Sequence, residues 1–217
     1  ARPDTVLASN TSAIPIGRIA SAVSEPGCII GTHFWNPPWA VSLVEVVQAK
    51  DTRPDIVRRT LGLLEQIGMK PVHVKCDIPG FIGNRLQHAL KREAIALLEA
   101  GVCDAETIDK VVKYGFGKRL AVLGPLEQSD LVGLDLTLKI HEILMPVLDN
   151  TPRPASLLVE NIENGNLGMK TGRGFHDWSP ESAAATRQHL ASNLAASARE
   201  RLADLRKKRE TEGYKPD

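Results

Sequence analysis

Neither sign of charge is in excess: 27 basic residues stand against 26 acidic ones in 217, a net of +1. Such a balance supplies no broad field for a nucleic-acid backbone or a membrane surface, so the expected partners are small molecules and protein. Cysteine is scarce. Cys28, Cys76 and Cys103 form no Cys-x-x-Cys pair and no cysteine–histidine spacing that suits zinc, so no metal site is expected and a reducing, cytoplasmic compartment is the default. No apolar run reaches the length of a membrane span, and Ala1-Arg2-Pro3-Asp4 is not the charged, then apolar opening of a signal peptide. Internal repeats and low-complexity segments are missing as well.

What is present is a hydrophobic pattern that changes period once. Residues 5–9 are short, apolar and β-prone, and from Ile14 to Val23 the apolar residues Ile16, Ile19, Ala20 and Val23 recur at helical spacing. Residues 28–34 read as a buried strand, Asn36-Pro37-Pro38 as a break and residues 41–47 as another strand. Pro54 opens a helix that runs to about Gly68, since proline suits a first turn and glycine a C-terminal cap; residues 71–75 are a further strand.

After Asp77-Ile78-Pro79-Gly80 nearly everything reads helical, which places a boundary between an α/β domain at 1–78 and an all-α domain at 79–217. Ile82, Leu86, Leu90, Ala94 and Leu97 form the apolar stripe of a long helix ending near Gly101, and Asp104 caps the next, which runs to about Tyr114. Helices are expected over 125–133, 134–148 and 155–163. Ser179-Pro180-Glu181 opens the last one, with Leu190, Leu194, Ala198, Leu202 and Leu205 on one side. Its polar end from Arg206 is expected to fray, and Arg206-Lys207-Lys208-Arg209 reads as solvated charge that suits a helix C-terminus.

Several residues in this frame could carry chemistry. His33 ends a strand just before a loop, where α/β sheets present groups to a ligand, and Glu45 lies in the following strand. If the two strands pair around Pro37-Pro38, a carboxylate can fix the tautomer of an imidazole and stabilise its charged form, which makes a general base with its orienter. On spacing alone, a core histidine and a solvated glutamate are the commoner outcome. Asn36 in the same loop and Asn84 at the start of the long helix can donate to a carbonyl or hydroxyl oxygen, or can be turn and cap residues. Ser12 is an N-cap first and a substrate contact second.

These pieces occur in one order with one set of neighbours: Ser9-Asn10-Thr11-Ser12, His33-Phe34-Trp35-Asn36-Pro37, Leu43-Val44-Glu45-Val46-Val47, Pro79-Gly80-Phe81-Ile82-Gly83-Asn84-Arg85, Gly124-Pro125-Leu126 with Asp130-Leu131-Val132-Gly133-Leu134-Asp135, and Gly168-Met169-Lys170-Thr171-Gly172-Arg173-Gly174-Phe175. Together, over about residues 5–178, they resemble the 3-hydroxyacyl-CoA dehydrogenase family. The resemblance implies the last strands of a Rossmann-like NAD-binding domain followed by a helical domain that binds substrate and forms a homodimer. It implies NAD-dependent oxidation of an L-3-hydroxyacyl-CoA, with His33 as base and Glu45 as its holder. Ser12, Asn36 and Asn84 match residues that contact substrate or cofactor near the reacting carbon, Ser12 and Asn36 among those for the cofactor, and Lys170 matches a lysine that reaches the cofactor.

Two departures bear on these expectations. Trp35 and Trp39 make the segment after His33 bulkier than the Phe-rich version common in β-oxidation enzymes, and this variant also resembles relatives that oxidise non-thioester hydroxy compounds. The family's Gly-x-Gly-x-x-Gly turn is not in the sequence. Gly115-Phe116-Gly117 and Gly172-Arg173-Gly174 neither follow a buried strand nor complete the pattern, so the N-terminal dinucleotide-binding part is expected to be absent and the chain alone to be inactive. A reading from another class is a non-catalytic helical dimerisation module.

Overall fold

The computed structural model describes residue 2, residues 5–12 and residues 14–211, without the side chains of 208 and 209. The rest of the Ala1-Arg2-Pro3-Asp4 opening, and those two side chains of the basic run, lie outside the described residues. The first elements are β1 (Leu7–Ser9), α1 (Ile16–Ala20), a 3-10 turn (Pro26–Cys28), β2 (Ile29–Phe34), β3 (Leu43–Val47), α2 (Pro54–Gln66) and β4 (Lys70–Val74). The strands form one sheet in the order β1-β2-β3-β4. β1 with β2 and β3 with β4 are parallel, because α1 and α2 carry the chain back between them, whereas the short link through Pro37-Pro38 leaves β2 and β3 antiparallel.

Side chains alternate across this sheet, so its two faces bury different partners. On one face Ile29 and Val47 pack with Ile16 and Ala20 of α1 and with Phe81; on the other Ile30, Val44 and Val46 pack with Ile56, Val57 and Leu64 of α2. His33 and Glu45 share the face of α1 and Phe81, since Gly31, His33, Glu45 and Val47 are paired positions on that side.

α1 is shorter than its apolar spacing predicts. Pro15 disfavours helical backbone at Ile14, the Ile14 amide donates instead to Thr11 Oγ1 (2.9 Å), and Ser21 Oγ bonds back to the Arg18 carbonyl (2.9 Å) as the helix ends. The cap assigned to Ser12 is therefore corrected: the Gly17 amide near the start of α1 donates to Asp77 Oδ2 (2.7 Å) from the end of β4.

The chain divides into two compact units, residues 1–86 with 185–217, and residues 87–184. Residues 185–211, most of the last helix, group with the first unit, beside the expected division at 1–78 and 79–217. The remaining elements are α3 (Gly83–Glu99), α4 (Ala105–Tyr114), α5 (Gly117–Leu120), α6 (Pro125–Val132), α7 (Leu134–Leu144), α8 (Ser156–Glu163) and α9 (Pro180–Thr211). Asp104 caps α4 by accepting from the Thr107 amide (2.7 Å), and Ser179 caps α9 by accepting from Ser182 (3.1 Å), as their sequence context predicts. The short α5 has no sequence signal above the background of loop glycines, and α7 ends four residues before the expected Leu148.

The body of α9 is held by packing. Ala198 is buried, Arg201 donates to the carbonyls of Trp39 (Nη2, 3.0 Å) and Ala40 (Nη1, 3.4 Å), and Leu205 lies against Gly68. These contacts fasten the helix as far as Leu205, and its helical backbone continues to Thr211. No helix among the described residues is long and apolar enough to cross a membrane.

Candidate active site

The register of β2 and β3 makes His33 and Glu45 direct cross-strand partners. Their side chains meet at 2.8 Å, His33 Nδ1 to Glu45 Oε2, and both are buried, at 7% and 1% exposure. A carboxylate so far from water needs donors, because its ionised form is otherwise costly. Glu45 has four. Oε2 accepts from His33 and from the Trp35 indole Nε1 (3.3 Å); Oε1 accepts from the amides of Ile82 (2.9 Å) and Gly83 (3.0 Å).

The Gly83 amide opens α3 and the Ile82 amide immediately precedes it, so the positive end of a 17-residue helix faces the carboxylate. They converge because Phe81 takes a left-handed backbone, φ 49°, unusual for a bulky residue. The strain is offset by full burial of its ring, which stacks at a tilt on His33 with centroids 5.7 Å apart. Burial alone would raise the pKa of Glu45; the Gly83 amide, His33, the Ile82 amide and Trp35 outweigh it and hold the carboxyl below its ordinary value. Glu45 is thus ionised at neutral pH, Nδ1 of His33 carries the proton between them, and Nε2 is the nitrogen left to take up another.

The other expected residues divide. Asn84 Nδ2 donates to the Ser12 carbonyl (3.2 Å), so these two tie the segment after β1 to the start of α3, one residue from the Gly83 amide. It is the backbone of Ser12 that enters this bond. Asn36 stands exposed in the turn after β2, where the Asn36–Pro37 peptide is cis. Lys170 belongs to the other unit, exposed in a tight turn closed by the Gly168 amide on the Arg173 carbonyl (2.6 Å). His33 and Glu45 are therefore joined directly, Ser12 and Asn84 are joined to each other, and Asn36 borders the same strand end.

Two contributors escaped the sequence. Trp35 stands out there only as bulk, and its hydrogen bond to Glu45 is visible only once β2 and β3 are in register. Phe81 reads as a core residue after a Pro-Gly turn, and nothing in its identity announces a left-handed φ. Asn10 also ties the strand ends, its Oδ1 accepting from the Phe34 amide (2.9 Å).

Comparison with known proteins adds to this geometry. The family model for the NAD binding domain of 3-hydroxyacyl-CoA dehydrogenase matches residues 1–78, and the model for the C-terminal domain of 3-hydroxyacyl-CoA dehydrogenase matches residues 80–178. The 5-formyl-3-hydroxy-2-methylpyridine 4-carboxylate 5-dehydrogenase of Mesorhizobium japonicum is 37% identical over 193 residues, 89% of this chain and 62% of that protein. A crystal structure of an enzyme of that activity, described as an NAD+ dependent dismutase, superposes with a TM-score of 0.87 at 37% identity, over 91% of this chain and 64% of that one.

The probable 3-hydroxybutyryl-CoA dehydrogenase of Bacillus subtilis is 41% identical over 177 residues, 81% of this chain and 60% of that protein. The 3-hydroxyacyl-CoA dehydrogenase structure from Archaeoglobus fulgidus gives a TM-score of 0.60 at 30% identity, over 88% of this chain and 67% of that one. The chain thus spans about three fifths of the length of the curated relatives it matches, 62% and 60%. The match over 1–78 corrects the expectation that the dinucleotide-binding part is absent: that domain is represented by β1 to β4 with α1 and α2, although no Gly-x-Gly-x-x-Gly occurs in the sequence.

Proposed function

The chain belongs to the 3-hydroxyacyl-CoA dehydrogenase family, and from that premise we propose that it carries the base and orienting groups for NAD-dependent oxidation of an L-3-hydroxyacyl-CoA to the 3-ketoacyl-CoA. The observation that carries this reading is the buried 2.8 Å bond between His33 Nδ1 and an ionised Glu45. His33 takes the proton of the substrate 3-hydroxyl at Nε2, and Glu45 stabilises the imidazolium that results. NAD, when bound, supplies the hydride acceptor. The residues around the dyad suit the nicotinamide end: β1 and β2 run parallel, the segment after β1 is tied to the end of β2 by Asn10 on the Phe34 amide, and Asn10 to Ser12, Asn36 and Asn84 offer hydroxyl and amide groups to a carboxamide or to the reacting oxygen. Lys170 is assigned to the anionic cofactor on its match to the family motif alone.

The thioester is supported by relatives named 3-hydroxybutyryl-CoA dehydrogenase, among them proteins of Bacillus subtilis and Bradyrhizobium diazoefficiens. A second reading, a non-thioester hydroxy compound or its aldehyde, is favoured by the likeness to the pyridine dehydrogenase, a TM-score of 0.87 against 0.60 for the Archaeoglobus structure. The bulk of Trp35 beside the dyad suits that reading too.

The test is to follow nicotinamide absorbance in the full-length protein given 3-hydroxybutyryl-CoA and, separately, 5-formyl-3-hydroxy-2-methylpyridine 4-carboxylate. Turnover of the thioester is expected, with His33→Gln slowing it by about 10²–10⁴-fold. Turnover of the pyridine alone would move the assignment to the second reading. Full activity of a folded His33→Gln variant would remove the dyad from the mechanism.

A further inference from the structure

We propose that Trp35 is a positioning residue of this dyad: its indole N–H shares Glu45 Oε2 with His33, and its ring, seated on the Gly83 backbone, closes the carboxylate off from water. The inference rests on the dehydrogenase reading and deepens it.

The geometry ties Trp35 to both ends of the relay. Its Nε1 lies 3.3 Å from the oxygen that His33 holds at 2.8 Å, and its ring centroid is 5.7 Å from the imidazole. A side chain placed there for bulk alone has no reason to aim its one donor at the catalytic carboxylate. The fit to Gly83 is equally specific, because a Cβ on that residue would fall 2.2 Å from Trp35 Cζ2. The indole therefore occupies the space that only glycine leaves open, next to the amide that bonds Glu45 Oε1. Trp35 and Gly83 together fix the rotation of the carboxylate, one from each oxygen.

The chemical consequence follows from sharing an acceptor. An oxygen that accepts from two donors bonds each less strongly than one that accepts from a single donor, so the indole moderates the hold of Glu45 on the imidazolium. Among the described residues the groups bonded to Glu45 are the His33 imidazole, two backbone amides and an indole. Without the indole N–H, Glu45 becomes the stronger partner and keeps the base protonated to higher pH.

The experiment replaces Trp35 in the full-length enzyme with 3-benzothienylalanine, which keeps the shape and exchanges N–H for sulfur. The expected result is normal folding by circular dichroism, an acid limb of kcat/KM moved up by roughly half a pH unit, and kcat lowered by about threefold to tenfold with KM little changed. The His33 Nδ1 proton resonance, read by NMR without any turnover, should move downfield as its hydrogen bond to Glu45 strengthens. An unchanged resonance and an unchanged acid limb in the folded variant would overturn the proposal. Absence of any wild-type turnover would count against the dehydrogenase reading instead, leaving the resonance to decide the role of Trp35.

Discussion

Replacing Glu45 by Gln changes one terminal atom and reverses one hydrogen bond. The Ile82 and Gly83 amides fix the amide oxygen on their side, so the new NH2 faces His33 Nδ1 and Trp35 Nε1, both donors in the native protein. His33 then has to present Nδ1 as the acceptor and carry its proton on Nε2, where the base must be free. Turnover is expected to fall by about 10²–10⁴-fold, measurable in the same nicotinamide assay. The same residue sets an acid limit on stability. Because the folded pKa of Glu45 lies below the ordinary value of 4.5, its contribution is complete above that pH and is lost as pH falls from there toward the folded value. Urea midpoints taken below pH 5 should drop more steeply in wild type than in Glu45→Gln. At this scale the sequence showed His33 and Glu45 as candidates and showed their neighbours hardly at all. Identity announces an imidazole or a carboxylate; it does not announce the φ of Phe81 or the direction of an indole N–H.

The end of α2 shows how an element can be legible in sequence while its neighbour is not. Gly68, expected as a cap, has φ 80°; its amide bonds the Glu65 carbonyl (2.9 Å) and the Met69 amide bonds Leu64 (2.9 Å), the paired bonds that close a helix at a left-handed glycine. The sequence did not show that α9 would arrive there. A Cβ on Gly68 would lie 2.6 Å from Leu205 Cδ2, so Gly68→Ala combines backbone strain with a clash and should cost roughly 1–3 kcal/mol in chemical unfolding. Arg201→Ala should cost about 1 kcal/mol and should speed proteolytic cleavage between Pro37 and Val41, since Arg201 braces the carbonyls of Trp39 and Ala40. Equal cleavage rates in wild type and variant would show that the brace is idle. Strand and helix signals are local and were legible; the length of α1, set by Pro15 and Ser21, and the persistence of α9, set by packing on residues more than a hundred positions away, depend on competition that local pattern does not contain.

For the molecule as a whole, the helical unit raises a question of burial. None of the helices α3 to α8 has a fully buried residue, and Val111, Leu126, Leu131, Leu134, Leu138 and Ile143 are exposed. Apolar surface on this scale normally marks an interface, and a second copy of the chain is its expected cover. Light scattering at micromolar concentration should give a dimer, and Leu134→Glu with Leu138→Glu should give a monomer; a monomeric wild type would exclude the assembly. The division into an α/β part and a helical part was legible because the hydrophobic period changes at Pro79-Gly80. The return of residues 185–211 to the first unit was not, because a polar helix carries no signal of its destination. The pairing of His33 with Glu45 has one more consequence. Both sit on the two interior strands of a four-stranded sheet, so separating them means breaking the sheet at its centre. Amide protons of β2 and β3 should be the last to exchange with deuterium, at the rate of global unfolding. A partly opened form that separated the pair would then lose the centre of the sheet as well, so on the proposed reading proton abstraction and the sheet should be lost together as denaturant rises.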